Sequence, residues 1–150
     1  MRTLTTLLEQ AESQRNIALA AFNQTLARRD GAREQARELE QYRHDYTERW
    51  SRQFQVGAAL EIVRSYHQFA DRLELAIAQQ AHAVTVAEQA LTRANDHLAA
   101  HELRVASVRK LIERRQEELR RGEDRRDQRT TDEIALRMAA ARHTLDGAPA

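Results

Sequence analysis

Cysteine is absent from this chain, proline occurs once, at Pro149, and glycine only four times. Without thiols there is no disulfide framework, no thiolate metal site and no cysteine nucleophile. With so few breakers, the punctuation that sheets and compact multi-helix bundles require is missing. Bulky anchors are scarce as well: one tryptophan, three tyrosines and three phenylalanines in 150 residues, with a mean hydropathy of -0.76. That is a poor supply for a globular core. No apolar run approaches the roughly 18 residues that a membrane-spanning helix takes. The opening segment MRTLTTLLEQAESQ has no apolar stretch followed by a small-residue cleavage site. The expectation is a cytosolic chain with no transmembrane segment and no secretion signal. Charge of one sign is lacking too, since 24 basic residues are interspersed with 23 acidic ones, which argues against bulk attraction to nucleic acid or acidic lipid.

What the sequence does contain is alanine, glutamine, glutamate, arginine and leucine, the composition of long helices and coiled coils. Alternate steps of four and three from Leu4 give Leu8, Ala11, Arg15, Ala18, Phe22, Thr25, Arg29, Ala32, Ala36, Leu39, Arg43, Tyr46 and Trp50. This is a mostly apolar stripe at the 3.5-residue period, and it predicts one helix over about 4–50. Asp30 and Gly31 resemble a turn locally, yet the stripe crosses them in phase, so the helix is expected to continue and to lose about 1 kcal/mol there. A second stripe repeats every seven residues at Val63, Ala70, Ile77, Val84, Leu91, Leu98, Val105, Ile112 and Leu119. Between these lie Tyr66, Leu73, Gln80, Ala87, Ala94, His101 and Val108, and together they form a coiled-coil seam over a helix of about 58–143.

The phase is lost at SRQFQVG, residues 51–57, where Gly57 supplies the residue that takes a positive φ without strain. The fold class expected is therefore all-α: a long antiparallel two-helix coiled-coil hairpin, one domain over 1–150, with the second helix overhanging the first. With the turn near Gly57, residues whose numbers sum to about 115 lie opposite one another, which pairs Leu4 with Leu111 and leaves everything beyond about Arg114 without an intrachain partner. The overhang is almost entirely polar until Ile134, Met138, Ala141 and Leu145. The tail GAPA is expected to fray.

The motifs of an enzyme are missing: there is no glycine-rich phosphate loop, nucleophile elbow or His-Glu-x-x-His pattern. No catalytic residue, metal ligand or cofactor is assigned. His97 and His101 have the i,i+4 spacing of a weak chelate but read as surface or seam-edge histidines. Acids alternate with the arginines of RRQEELRRGEDRRDQR and no aromatic lies among them to stack bases, so nucleic acid is not an expected partner. The informative cluster is aromatic. Gln35, Leu39, Tyr42 and Tyr46 on the first helix share their spacing with Phe69, Leu73, Ala76 and Gln80 on the second. The pairing sum sets Gln35 against Gln80, Leu39 against Ala76, Tyr42 against Leu73 and Tyr46 against Phe69. Tyr42, Phe69 and Ala76 fall off the seam, which points to a patch spreading from the seam onto an exposed side where a partner docks.

The segments LEQYRHDYTERW, SYHQFADRLELAIAQQ and DEIALRMAAAR together resemble the flagellar export protein family FliJ, over nearly the whole chain. The resemblance implies a non-enzymatic stalk of the bacterial flagellar type III export apparatus, cytoplasmic and peripheral at the inner face of the inner membrane. Its implied partners are the flagellar ATPase hexamer (FliI), the export-gate protein (FlhA) and substrate chaperones. The implied gate-binding patch is Gln35, Leu39, Tyr42, Tyr46, Phe69, Leu73, Ala76 and Gln80, with Gln80 standing where enterobacterial members carry histidine. In that family the end bearing the termini meets the ATPase, and Arg120, Arg121, Arg125 and Arg126 are the contacts expected here. Two other readings remain: the equivalent stalk of a virulence injectisome, and an unrelated cytosolic coiled-coil tether or spacer.

Overall fold

The computed structural model describes residues 1–147. Two helices account for nearly all of them, α1 (Arg2–Val56) and α2 (Leu60–Asp146). They pack antiparallel as a hairpin, with no strand among the described residues. Of the tail 147–150, Gly147 is a turn whose N–H donates to the His143 carbonyl at 3.0 Å, and 148–150 lie outside the described residues.

α1 is unbroken through Asp30 and Gly31, as the in-phase stripe requires. Every stripe position from Leu4 to Trp50 is at least partly covered, and the polar positions between them are mostly exposed. The expected turn over 51–57 is corrected: α1 continues to Val56, and only 57–59 are non-helical. Phe54 explains the difference. It extends the stripe from Trp50 by four residues, so the apolar face persists one more turn and the helix persists with it. Gly57 then takes φ +113° and its N–H donates to the Gln53 carbonyl at 3.2 Å, satisfying one of the last free carbonyls of α1. α2 opens with the Ile62 and Val63 amides donating to the Ala59 carbonyl at 3.0 and 3.1 Å, and Glu61 places a carboxylate in its first turn, where the helix dipole favours it.

The described chain divides into two compact units. The first comprises Glu12–Leu103 and contains the turn. Its buried apolar residues are Ala18, Leu73 and Leu98, all three on the expected seams. The second comprises Met1–Ala11 with the chain from Arg104 onward, and Ala11, Val105 and Val108 are its core. Small residues at the seam let two backbones approach closely, but each methylene that alanine lacks relative to leucine forgoes about 0.8 kcal/mol of burial.

Two seam expectations in the second unit shift. Leu111, expected opposite Leu4, is 48% exposed while Ile112 is partly covered, and Leu119 is 47% exposed. The paired seam therefore ends at Ile112. Beyond it, among the described residues, all but Glu117 and Gly122 are exposed, so α2 does overhang, as a helix with nothing packed along it.

Candidate docking surface

Every aromatic side chain except Phe22 belongs to one connected set of ring contacts near the turn. Helical spacing places them there. Tyr42, Tyr46, Trp50 and Phe54 recur every four residues on one face of α1, and Tyr66 and Phe69 face them from α2. Tyr46 is the hub, with ring centroids 4.6 Å from Phe69, 5.5 Å from Tyr66, 6.2 Å from Tyr42 and 6.1 Å from Trp50. Phe54 meets Tyr66 edge-on at 5.1 Å, and Tyr42 meets Phe69 at 6.1 Å. Separations of this size are those at which aromatic pairs contribute about 0.5–1.5 kcal/mol beyond their area. Removal from water pushes the Tyr46 phenol above its ordinary pKa, and the neighbouring Tyr42 and Tyr66 hydroxyls add to that.

The patch anticipated from spacing is partly this set and partly something else. Tyr46 and Phe69 meet as the pairing sum requires, and Gln80 reaches Gln35 at 3.3 Å. Tyr42 is 49% exposed and is the most accessible ring of the three. Leu39, Phe69, Ala76 and Gln80 are half-buried and Gln35 is exposed. Leu73, by contrast, is only 7% exposed. It is a core residue that holds the helices together, so a partner cannot touch it without separating them. Gln80 is also engaged within the hairpin, where its Nε2 donates to the Ala32 carbonyl of α1 at 2.9 Å. A polar side chain bridging the seam in this way fixes the register of one helix against the other.

Ion pairs border the rings. Arg43 bridges the helices to Glu74 at 3.0 Å and pairs with Glu40 on its own helix at 2.6 Å, and the Glu74 hydrogen bond is the main reason its guanidinium is held even more firmly protonated than usual. Farther from the turn Arg33 meets Glu88 at 2.8 Å. All are solvent-exposed pairs, which water and salt screen, so they add little to stability. Three residues of this surface escaped the sequence reading: Trp50, Phe54 and Tyr66. Their signal was the concentration of nearly all the aromatic residues within 42–69.

In the second unit, Arg120, Arg121, Arg125 and Arg126 are all exposed. Arg120 and Arg121 both pair with Glu117 on their own helix, and Arg125 and Arg126 have no carboxylate partner among the described residues. At 3.6 residues per turn these four side chains fan over roughly 240° of the helix circumference, so they surround α2 and do not form one face. Two histidine groups also take shape. His97 and His101 bring their Nε2 atoms to 3.2 Å. His44, Asp45 and Glu48 offer ligand atoms within 4.8 Å of one another, with Glu48 already held by Arg52 at 3.1 Å.

No helix among the described residues is long and apolar enough to cross a membrane. No curated protein and no solved structure matches the chain. The family model described as flagellar FliJ protein matches residues 1–144, the span that holds α1, the aromatic set and all of α2 but its last two residues. A match over almost the whole chain is decisive: the chain belongs to the flagellar FliJ family, proteins associated with flagellar type III export.

Proposed function

We propose that this protein is a non-enzymatic stalk of the flagellar export apparatus that works through two surfaces, the aromatic set near its turn and the arginine-ringed overhang of α2. The first would meet the export gate (FlhA), the second the export ATPase ring (FliI), and the same body would escort substrate chaperones at the cytoplasmic face of the inner membrane. The observation that carries this reading is the unequal use of aromatic residues. A chain so poor in them concentrates nearly all of them around Tyr46, and leaves Tyr42 half exposed at the edge. Aromatic side chains with one face packed and one face open are typical anchors of protein interfaces. The overhang complements this: guanidinium groups on several sides of one helix, those of Arg125 and Arg126 without a carboxylate partner among the described residues, suit a site that surrounds it, and arginine suits carboxylate partners.

Burial changes which substitutions test the idea. Leu73 belongs to the core, so its loss reports on folding. Tyr42→Ala together with Phe69→Ala probes the exposed edge, and purified gate cytoplasmic domain is the ligand. Capture lost with helical content retained supports gate docking; unchanged capture rejects it. For the ATPase, the chain truncated after Leu119 should melt as the full chain does and fail to stimulate ATP hydrolysis. Full stimulation by that fragment removes the overhang from the contact.

A further inference from the structure

The histidine pair on α2 has the geometry of a chelate. His97 and His101 lie one turn apart, with ring centroids 4.5 Å apart, rings inclined at 81° and Nε2 atoms 3.2 Å from one another. Metal–nitrogen bonds from imidazole are about 2.05 Å, so two nitrogens at that separation subtend roughly 100° at a shared ion, between the tetragonal and the tetrahedral angle. The backbone beneath them is anchored. Leu98, between the two, is 7% exposed in the seam, and His101 is itself partly covered. His97 is exposed and leaves an ion open to water on its outer side. The other candidate group, around His44, is less suited, because Arg52 already occupies the Glu48 carboxylate.

We propose that His97 and His101 form a bidentate site for a late first-row divalent cation, copper, nickel or zinc, with water completing the coordination. Imidazole nitrogen is a good ligand for all three, and the affinity order among them follows copper over nickel and zinc. One rearrangement is needed. The ring that now shares its Nε2 hydrogen with its neighbour carries that hydrogen on Nδ1 when the ion binds, leaving both Nε2 lone pairs for the metal. The segment reads His97-Leu-Ala-Ala-His101. In helical zinc hydrolases a glutamate follows the first histidine and serves as general base, whereas here buried Leu98 takes that place. With leucine in place of that glutamate, the effect of an ion held here is to clip one turn of α2. An ion bound by the folded helix and not by the unfolded chain raises the melting temperature.

Titration of the full-length protein with copper(II) or zinc(II) chloride, followed by calorimetry and by the imidazole proton signals, tests this. The expected result is one equivalent bound, with the His97 and His101 signals moving or broadening first. His97→Gln and His101→Gln should each weaken binding at least tenfold. The double variant should be no weaker than either single, because a chelate needs both nitrogens. His44→Gln should leave affinity unchanged, and circular dichroism should show the same helical content throughout. Affinity retained by either single variant, or signals of His44 responding in place of His97 and His101, would overturn the proposal.

Discussion

Residues 42–69 and residues 113–146 are both almost wholly helical, and they are held by opposite means. In the first segment, rings from two helices interlock around Tyr46 and the backbone turns sharply at Gly57. In the second, no helix packs alongside and nearly every described side chain is exposed. Its helix rests on intrinsic propensity and on local pairs such as Arg121 with Glu117 and Gln128 with Asp132, each contributing about 0.2–0.5 kcal/mol. Tertiary burial thus stabilises one end of α2, and only local terms stabilise the other. Binding energy is available at both, by different chemistry: apolar area near the turn, unpaired charge on the overhang.

The contrast is broken most sharply by deleting the core leucine between the rings and the seam. Leu73→Ala should cost about 2–5 kcal/mol, read from urea unfolding monitored by Trp50 fluorescence, whereas Leu119→Ala, at a 47% exposed position, should leave the midpoint within about 0.5 kcal/mol. Next comes Phe54→Ala, which removes a half-buried ring touching Trp50 and Tyr66. A loss of about 1–2 kcal/mol is expected from its area and ring contacts. No loss would place the end of the packed segment at Trp50.

The glycines sharpen the comparison further. A Cβ at Gly31 or at Gly122 would meet nothing within 4 Å, and both lie inside helices, so alanine should add about 1 kcal/mol of local helix stability at either. At Gly31, within the paired segment, the gain should appear in global unfolding. At Gly122 it should appear only as slower amide exchange in the overhang, because opening there does not require the seam to part. Gly57→Ala should destabilise, since its φ of +113° is one that a side chain resists.

The smallest effect expected is in alkaline solution. The folded Tyr46 phenol is pushed above its ordinary value of 10.0, so the folded state holds its proton longer than the unfolded chain does. The associated stability is complete below about pH 10 and is lost as pH rises through the folded value. Melting temperature recorded from pH 9 upward should fall more steeply for the native chain than for Tyr46→Phe; parallel curves would dissociate Tyr46 from the effect.

Two helices, a turn at Gly57 and a second helix outlasting the first were determined by the sequence alone, because a 3.5-residue stripe is a property of local spacing and an in-phase stripe carries a helix through Gly31. Phe54 shows the limit of that logic, since a residue one turn past an apparent end belongs to the helix once Tyr66 is there to cover it. The tertiary structure decided which members of a stripe are surface and which are core. Leu73 and Tyr42 both belong to the anticipated patch, yet one is sealed between the helices and the other is half open to water. Register decided this, and register depends on how Gln80 meets Ala32 across the seam, a contact between residues 48 apart that no window of local sequence contains. His97 and His101 are the opposite case: four residues apart on one helix, their spacing was legible in the sequence, and their Nε2 atoms stand 3.2 Å apart.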